Sequence, residues 1–523
     1  MSKQTFLKGT LILILAGFIT RVLGFINRIV VARFIGEEGV GLYNMAVPTL
    51  VLVITITQLG LPVAISKLVA EAEAQGDHRR IKKILVVSLS VTCTLSLIFT
   101  PAMILLAPYL SQHVFTDHRT YWPLLAIAPV VPIVAISSVI RGYFQGKQNM
   151  RPAAISQVLE QIVRISLVAV CTSAFLPYGI EYAAAGAMIS AVIGELASLL
   201  YLVTMFKMKK KMKIRRKFFN SVKNGKETLN QLMNIALPTT GSKFIGNISW
   251  FFEPIVVANS LYIAGVATAA ATKQYGALTG YAIPLLMLPS FITFSLSTSL
   301  VPAISEAMAN NQLKTVEHRL QQALRLSLIS GGLACVILYV FSDPLMTVMY
   351  GTNKSAIFVQ VMAPFFIFHY FQGPLQAVLQ ALDLAKAAMI NSLIGSVVKT
   401  ALIFVLATRP SLGIMGAALA IVIGIMLVTL LHLATVIKVV PFTIHVREYV
   451  KSGVTMVLAG LAGFFAYEYI FETTPLIFRL LTSLSITTVV YCLLLLVFKL
   501  VEKDEVKRIP FVGSYLSRLI PVK

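Results

Sequence analysis

The sequence predicts an all-α polytopic membrane protein of about 14 transmembrane helices, set out as two pseudo-symmetric six-helix bundles plus two C-terminal helices. Three observations carry that class. Of 523 residues, 57% are hydrophobic and only 12% charged, where a soluble domain carries about a quarter charged; mean hydropathy is +0.83. Apolar stretches of about 20 residues recur along the whole chain, the length a helix needs to cross a bilayer. The second half also repeats the first, with charged and proline positions falling together.

In order, the spans fall at 8–34, 40–66, 84–110, 121–145, 152–176 and 182–206, then 231–262, 272–302, 320–342, 355–381, 386–408 and 412–437, and finally 447–471 and 475–499. The first is read as a retained span. Its apolar run is too long for a signal peptide, it holds arginines, and no small-residue cleavage site follows a short core. The longest polar stretch, 207–230, is of linker size. The domains are then an N-terminal six-helix bundle (1–206), a basic cytoplasmic linker (207–230), a C-terminal six-helix bundle (231–437), and helices 13 and 14 with a cytoplasmic tail (438–523).

Net charge +23 invites a nucleic-acid reading, but the bases flank apolar segments or crowd between Lys207 and Lys226. Anionic membrane lipids are their nearest partner, and no nucleic acid is expected. When alternate loops are assigned to one side, that side holds only Arg33, Arg119, Lys354, Arg409 and Arg479 of the 44 Lys and Arg. The positive-inside rule then puts both termini in the cytoplasm of a multi-pass cell-membrane protein. Cys93, Cys171, Cys335 and Cys492 are dispersed in apolar segments, with neither metal spacing nor a disulfide framework. No metal, cofactor or catalytic residue is expected.

The repeat is gapless where the fifth span lies over the eleventh. "RPAAISQVLEQIVRISLVAV" (151–170) matches "KAAMINSLIGSVVKTALIFV" (386–405): Arg151 meets Lys386, Ala153 meets Ala388, Ile155 meets Ile390 and Arg164 meets Lys399. Upstream, Ala128-Pro129 meets Ala363-Pro364 and Gln145 meets Gln380. Ala64-Ile65-Ser66 also matches Ala303-Ile304-Ser305, each followed by a basic turn. Two bundles in the same orientation form a parallel repeat, a plan in which substrate binds near midplane between halves that rock around it.

Charge inside the spans is costly, about 2.5–3.5 kcal/mol near the bilayer centre on insertion scales. In "TRVLGFINRIVVARFIG" (20–36) the first span carries Arg21, Arg28 and Arg33, with Arg21, Gly24 and Arg28 on one helical face. "SKFIGNIS" (242–249) lies over "TRVLGFIN", so Lys243 answers Arg21. The fifth span adds Gln157, Glu160, Gln161 and Arg164 on one face, and Lys399 by the repeat. Either Arg21 and Arg28 pair with Glu160, Glu195 or Glu253 and serve packing, or these residues line a hydrated cavity. Bases outnumber acids, which suits an anionic, phosphate-bearing substrate. The substrate-binding candidates are therefore Arg21, Arg28, Arg33, Glu160, Arg164, Lys243 and Lys399. Glu195 and Glu253 are candidates for coupling to a cation. His369 and His432 could relay protons, though a lone intramembrane histidine is more often simply hydrogen-bonded. "NGKET" (224–228) lacks the preceding glycine of a phosphate loop, and the short loops hold no paired carboxylates for a glycosyltransferase.

"RVLGF" (21–25), "VAR" (31–33) and Gly36 resemble the first-span signature of MurJ-type lipid II flippases. That superfamily shares its duplicated twelve-span core with multidrug/toxin extrusion (MATE) transporters and polysaccharide flippases. "FLKGTLILILAGFITRVLGFINRIVVARFIGEEGVGLY" and "VIRGYFQGKQNM" are more similar still to a sporulation branch found in spore-forming Bacillus-type bacteria, along the full length. The resemblance implies a flippase-like transporter serving spore cortex peptidoglycan, with a lipid-linked sugar of the lipid II type as cargo. It implies too that first-span arginines meet a central cavity and that spans 13 and 14 hold the lipid tail. Arg21 and Arg33 carry over by position. The second family arginine does not, because Asn27-Arg28 stands where the flippases have Arg-Asp, about 100° around the helix. The competing classes are a cation-coupled multidrug exporter of the same fold, which would favour acids and aromatics over bases, and a non-transporting scaffold for cell-wall enzymes.

Overall fold

Helix α1 (Phe6–Gln58) joins the first two spans in 53 residues, broken at Gly36, whose backbone (φ 64, ψ −178) leaves the helical region. Only glycine reaches that conformation without strain, and the break falls where the sequence places the turn between spans. The chain is described here by a computed structural model covering residues 6–209, 225–443 and 445–501. Most of the basic linker and of the C-terminal tail lies outside those residues. Every regular element among the described residues is helical. Twelve stretches are long and apolar enough to cross a membrane. The first of them, Leu15–Ala74, has 60 residues, about twice what one crossing needs. The protein is a multi-pass membrane protein.

Packing divides the chain into two compact units, Met1–Pro284 with Ser396–Ala420, and Leu285–Gly395 with Ile421–Lys523. They are drawn by contact and do not follow the linker. The first contains α1, α2 (Leu61–Ala74), α3 (His78–Tyr109), α4 (Tyr121–Ile127), α5 (Val130–Gly146), α6 (Arg151–Phe175), α7 (Ile180–Lys209), α8 (Lys226–Ile263) and α9 (Thr268–Gly276). A short helix α10 (Ile283–Met287) leads out of it. The second contains α11 (Ser290–Ala309), α12 (Leu313–Val340), α13 (Ser342–Tyr350), α14 (Ala356–Met362) and α15 (Phe366–Ala381). Helices α16 (Ala385–Ala407) and α17 (Ile414–Ile437) contribute to both units, and α18 (Val446–Phe465) and α19 (Leu476–Val497) complete the second.

The duplication is visible in backbone and core alike. The predicted fourth and tenth spans are both interrupted at the matched Ala-Pro pair: α4 gives way to α5 at Ala128-Pro129, and α14 to α15 at Ala363-Pro364. A proline lacks the N–H that continues the hydrogen-bond ladder, so the same residue breaks both helices at the same place. The following turns are also alike, for Gln148 (φ 54) and Asp383 (φ 59) are both left-handed. Each donates to a glutamine carbonyl, Gln145 at 2.9 Å and Gln380 at 3.2 Å. The first core includes Ile65, Val69, Ala72, Ile81, Leu85, Ile140, Tyr143 and Phe144. At the same spacing, the second has Leu300, Ile304, Ala307, Val316, Leu320, Leu375, Val378 and Leu379.

That spacing corrects one alignment. Ile65 corresponds to Leu300, and Ile304 to Val69, so the Ala-Ile-Ser match drawn from sequence is displaced by one helical turn. The displacement keeps residues on the same face, which is why apolar sequence tolerates it.

Candidate functional site

Every sequence-predicted site residue belongs to the first unit. Arg21, Arg28 and Arg33 are exposed along α1, whereas Asn27 is buried and its Oδ1 has no hydrogen-bond partner. The helix therefore separates the two residues at the altered family position, tucking the amide inward and leaving the guanidinium outward. A Cβ placed on Gly24 would lie 3.9 Å from Gln161 Oε1, so the face shared with Arg21 and Arg28 looks toward α6.

On α6, Glu160 is buried and accepts from Arg164 Nη2 at 2.6 Å, one turn away. A residue absent from the sequence-predicted set completes this cluster. Arg141 of α5 lies 3.7 Å from Glu160 and 3.5 Å from Glu195 of α7. It also donates to Ser198 at 2.8 Å and Ser156 at 3.4 Å. Two carboxylates and two guanidinia thus meet among α5, α6 and α7. Glycine makes this possible: a Cβ on Gly194 would stand 2.8 Å from the Glu160 carbonyl and 3.2 Å from Arg164 Cβ. Gly186, Ser190, Gly194 and Ser198 repeat every four residues on α7, the small-residue pattern that brings membrane helices close.

The second pairing is Glu253 of α8 with Lys399 of α16. The repeat foresaw Lys399 as the counterpart of Arg164, and each holds a buried glutamate. The side chain of Lys243 lies outside the described residues. The two histidines belong to the second unit, where His432 Nδ1 is 3.4 Å from the Asn391 amide.

A third charged cluster ties loop to helix. Arg119 makes a two-pronged contact with Asp117, Nε to Oδ1 at 3.0 Å and Nη2 to Oδ2 at 2.8 Å, and reaches Glu38 at 2.7 Å. Thr272 of α9 donates to the same Asp117 at 2.8 Å. Burial pushes the Asp117 carboxyl up, but its hydrogen bonds from Arg119 and Thr272 outweigh that and hold it below the usual carboxylate range. Sequence reading counted Arg119 only as a loop base. The cluster itself has no signal beyond the local Asp-x-Arg.

The model for "Polysaccharide biosynthesis protein" matches residues 6–308. The chain belongs to that family. The MatE model also matches, over residues 256–405. Stage V sporulation protein B of Bacillus subtilis is 66% identical over 99% of this chain and 100% of its own length. The lipid II flippase MurJ of the same organism is 26% identical over 76% of each chain. The fold resembles that of a solved lipid II flippase MurJ in an inward closed conformation, with a TM-score of 0.69 at 18% identity, covering 92% of this chain and 98% of that one. The family, the MATE/MurJ-like fold and the membrane setting therefore agree with what the sequence implied.

Proposed function

We propose that this protein moves a lipid-linked oligosaccharide across the membrane by alternating access, and that the cargo is a lipid II-type peptidoglycan precursor used for spore cortex. The carrying observation is the contrast among charges in the spans. Arg141, Arg164 and Lys399 are matched by buried carboxylates, while Arg21, Arg28 and Arg33 are exposed along α1. Guanidinium groups at this depth cannot be left facing hydrocarbon, and a water-filled path lined by them suits phosphate oxygens, which they grip with two parallel hydrogen bonds. A diphosphate headgroup cannot cross unaided, because taking unpaired anions out of water costs many kcal/mol. The paired clusters then act as scaffold, with Glu195 retained as the candidate coupling carboxylate and Glu253 as the anchor of Lys399. The names of the sporulation and flippase relatives support the cargo and its use.

The test is reconstitution. Purified protein in vesicles should translocate a polyprenyl-diphosphate sugar. Arg21→Lys should slow it, since the fork is lost, and Arg21→Ala should slow it more at unchanged protein abundance. Full activity of a normally expressed Arg21→Ala protein would remove Arg21 from the path. A wild type inert on all lipid-linked sugars, yet exporting organic cations, would favour the multidrug reading.

A further inference from the structure

The second unit contains a pocket of about 370 Å³, counted to its mouth, that shares no residue with the transport site. Its polar lining includes Arg325 of α12, His445 beside α18, and Glu448 and Tyr449 of α18; Leu328 and Phe442 supply apolar surface. One wall is fixed by hydrogen bonds. Glu317 accepts from the Thr443 N–H at 3.0 Å, from its hydroxyl at 2.8 Å and from Gln321 at 3.2 Å. Gln321 donates in turn to the Thr443 carbonyl at 3.1 Å. That carboxylate is therefore occupied in holding the linker against α12, and the pocket is preformed.

Depth says what could fill it. Helix α12 carries Lys314, Glu317, His318, Arg319 and Arg325, and then no charge through Val340. Helix α18 carries Arg447, Glu448 and Lys451, and then none through Tyr467. The pocket sits where both helices change from charged to apolar, which is the level of lipid headgroups. Beside it, Val446, Val450, Val454, Val457 and Leu461 form an exposed stripe on α18, 42–64% accessible, of the kind acyl chains cover.

We propose that this pocket binds a membrane phospholipid through its headgroup, and that the headgroup is phosphoethanolamine. Arg325 takes the phosphodiester, with N–H and O–H donation from His445 and Tyr449, and Glu448 takes the primary ammonium. The glycerol backbone rests on Leu328 and Phe442. A single cation facing a single carboxylate matches a zwitterion with one charge of each sign. It leaves the second charge of a diphosphate unmatched, which keeps the pocket distinct from the cargo path. A quaternary choline cannot donate to Glu448, and a glycerol head brings no cation to it. This site stands independently of the transport reading.

The experiment uses full-length protein in detergent, with phosphatidylethanolamine, phosphatidylcholine, phosphatidylglycerol or inorganic phosphate added, followed by native mass spectrometry and thermal unfolding. One retained phosphatidylethanolamine is expected, with a larger rise in Tm than the other three give. Arg325→Gln should reduce that retention at least tenfold, and Glu448→Gln should abolish the preference over phosphatidylcholine while leaving the protein folded. Equal gains from phosphatidylcholine or phosphatidylglycerol would overturn the assignment. So would an equal gain from inorganic phosphate, which would mark a soluble-anion site, or an unchanged lipid preference in Glu448→Gln even if Arg325→Gln fails to fold.

Discussion

Arg141 joins two carboxylates, Glu160 and Glu195, that would otherwise share only Arg164. Removing one partner from such a buried network leaves a charge without compensation, at a cost of about 3–5 kcal/mol. Arg141→Gln is therefore expected to lower Tm sharply in detergent. Arg141→Gln combined with Glu195→Gln should recover much of the loss, because the uncompensated charge goes with it. If the double variant is no better than the single one, Arg141 acts by packing and not by charge. How legible this cluster was depends on distance along the chain. Glu160 and Arg164 lie one turn apart, so their pairing can be read from spacing. Arg141 and Glu195 come from separate helices, and the repeat offers no hint because Gln376 stands where a second Arg141 would be. Sequence named both acids as partners for first-span arginines; the fold pairs them with other bases.

At the scale of elements, hydropathy located the helices, while the residues that interrupt them decided their internal form. The Ala-Pro pairs were visible as a repeat, yet that they break a helix in both halves follows from proline chemistry acting at a matched position. Close helix approach is harder to read, since a glycine in an apolar run resembles any other. Gly194 is the decisive case: Gly194→Leu must separate α6 from α7 at the level of Glu160, and it should lower both Tm and folded yield more than the same change at exposed Gly17, where a Cβ meets nothing. The Asp117 cluster gives an element-level pH dependence. Its carboxyl is held below the ordinary value, so it contributes stability above the unfolded-state pKa of about 3.9. That contribution fades as pH falls through the lower folded value. Thermal unfolding between pH 6 and 3 should show the wild type losing more Tm than Asp117→Asn, which begins lower by about 2 kcal/mol. Parallel curves would mean the cluster is not titrating.

Across the whole molecule, the direction of transport rests on orientation, which the distribution of basic residues predicts and local geometry does not. Lys and Arg are retained on the cytoplasmic side during insertion, and the loops on one side hold only Arg33, Arg119, Lys354, Arg409 and Arg479. If the positive side is cytoplasmic, the linker and both termini are inside, and the Asp117–Arg119 cluster and Lys354 face out. In a background with Cys93, Cys171, Cys335 and Cys492 replaced, a cysteine at exposed Lys354 should react with an impermeant maleimide in intact cells. One at Ser221 should react only after permeabilisation. The pair controls for expression and accessibility together, since each site must label under one condition. The reverse pattern would invert the topology: cargo loaded from the cytoplasm would then meet the sparse face first, and the basic linker, facing outward, could not hold the anionic inner leaflet. The positive-inside asymmetry is therefore the feature on which outward transport of a cytoplasmically made precursor depends.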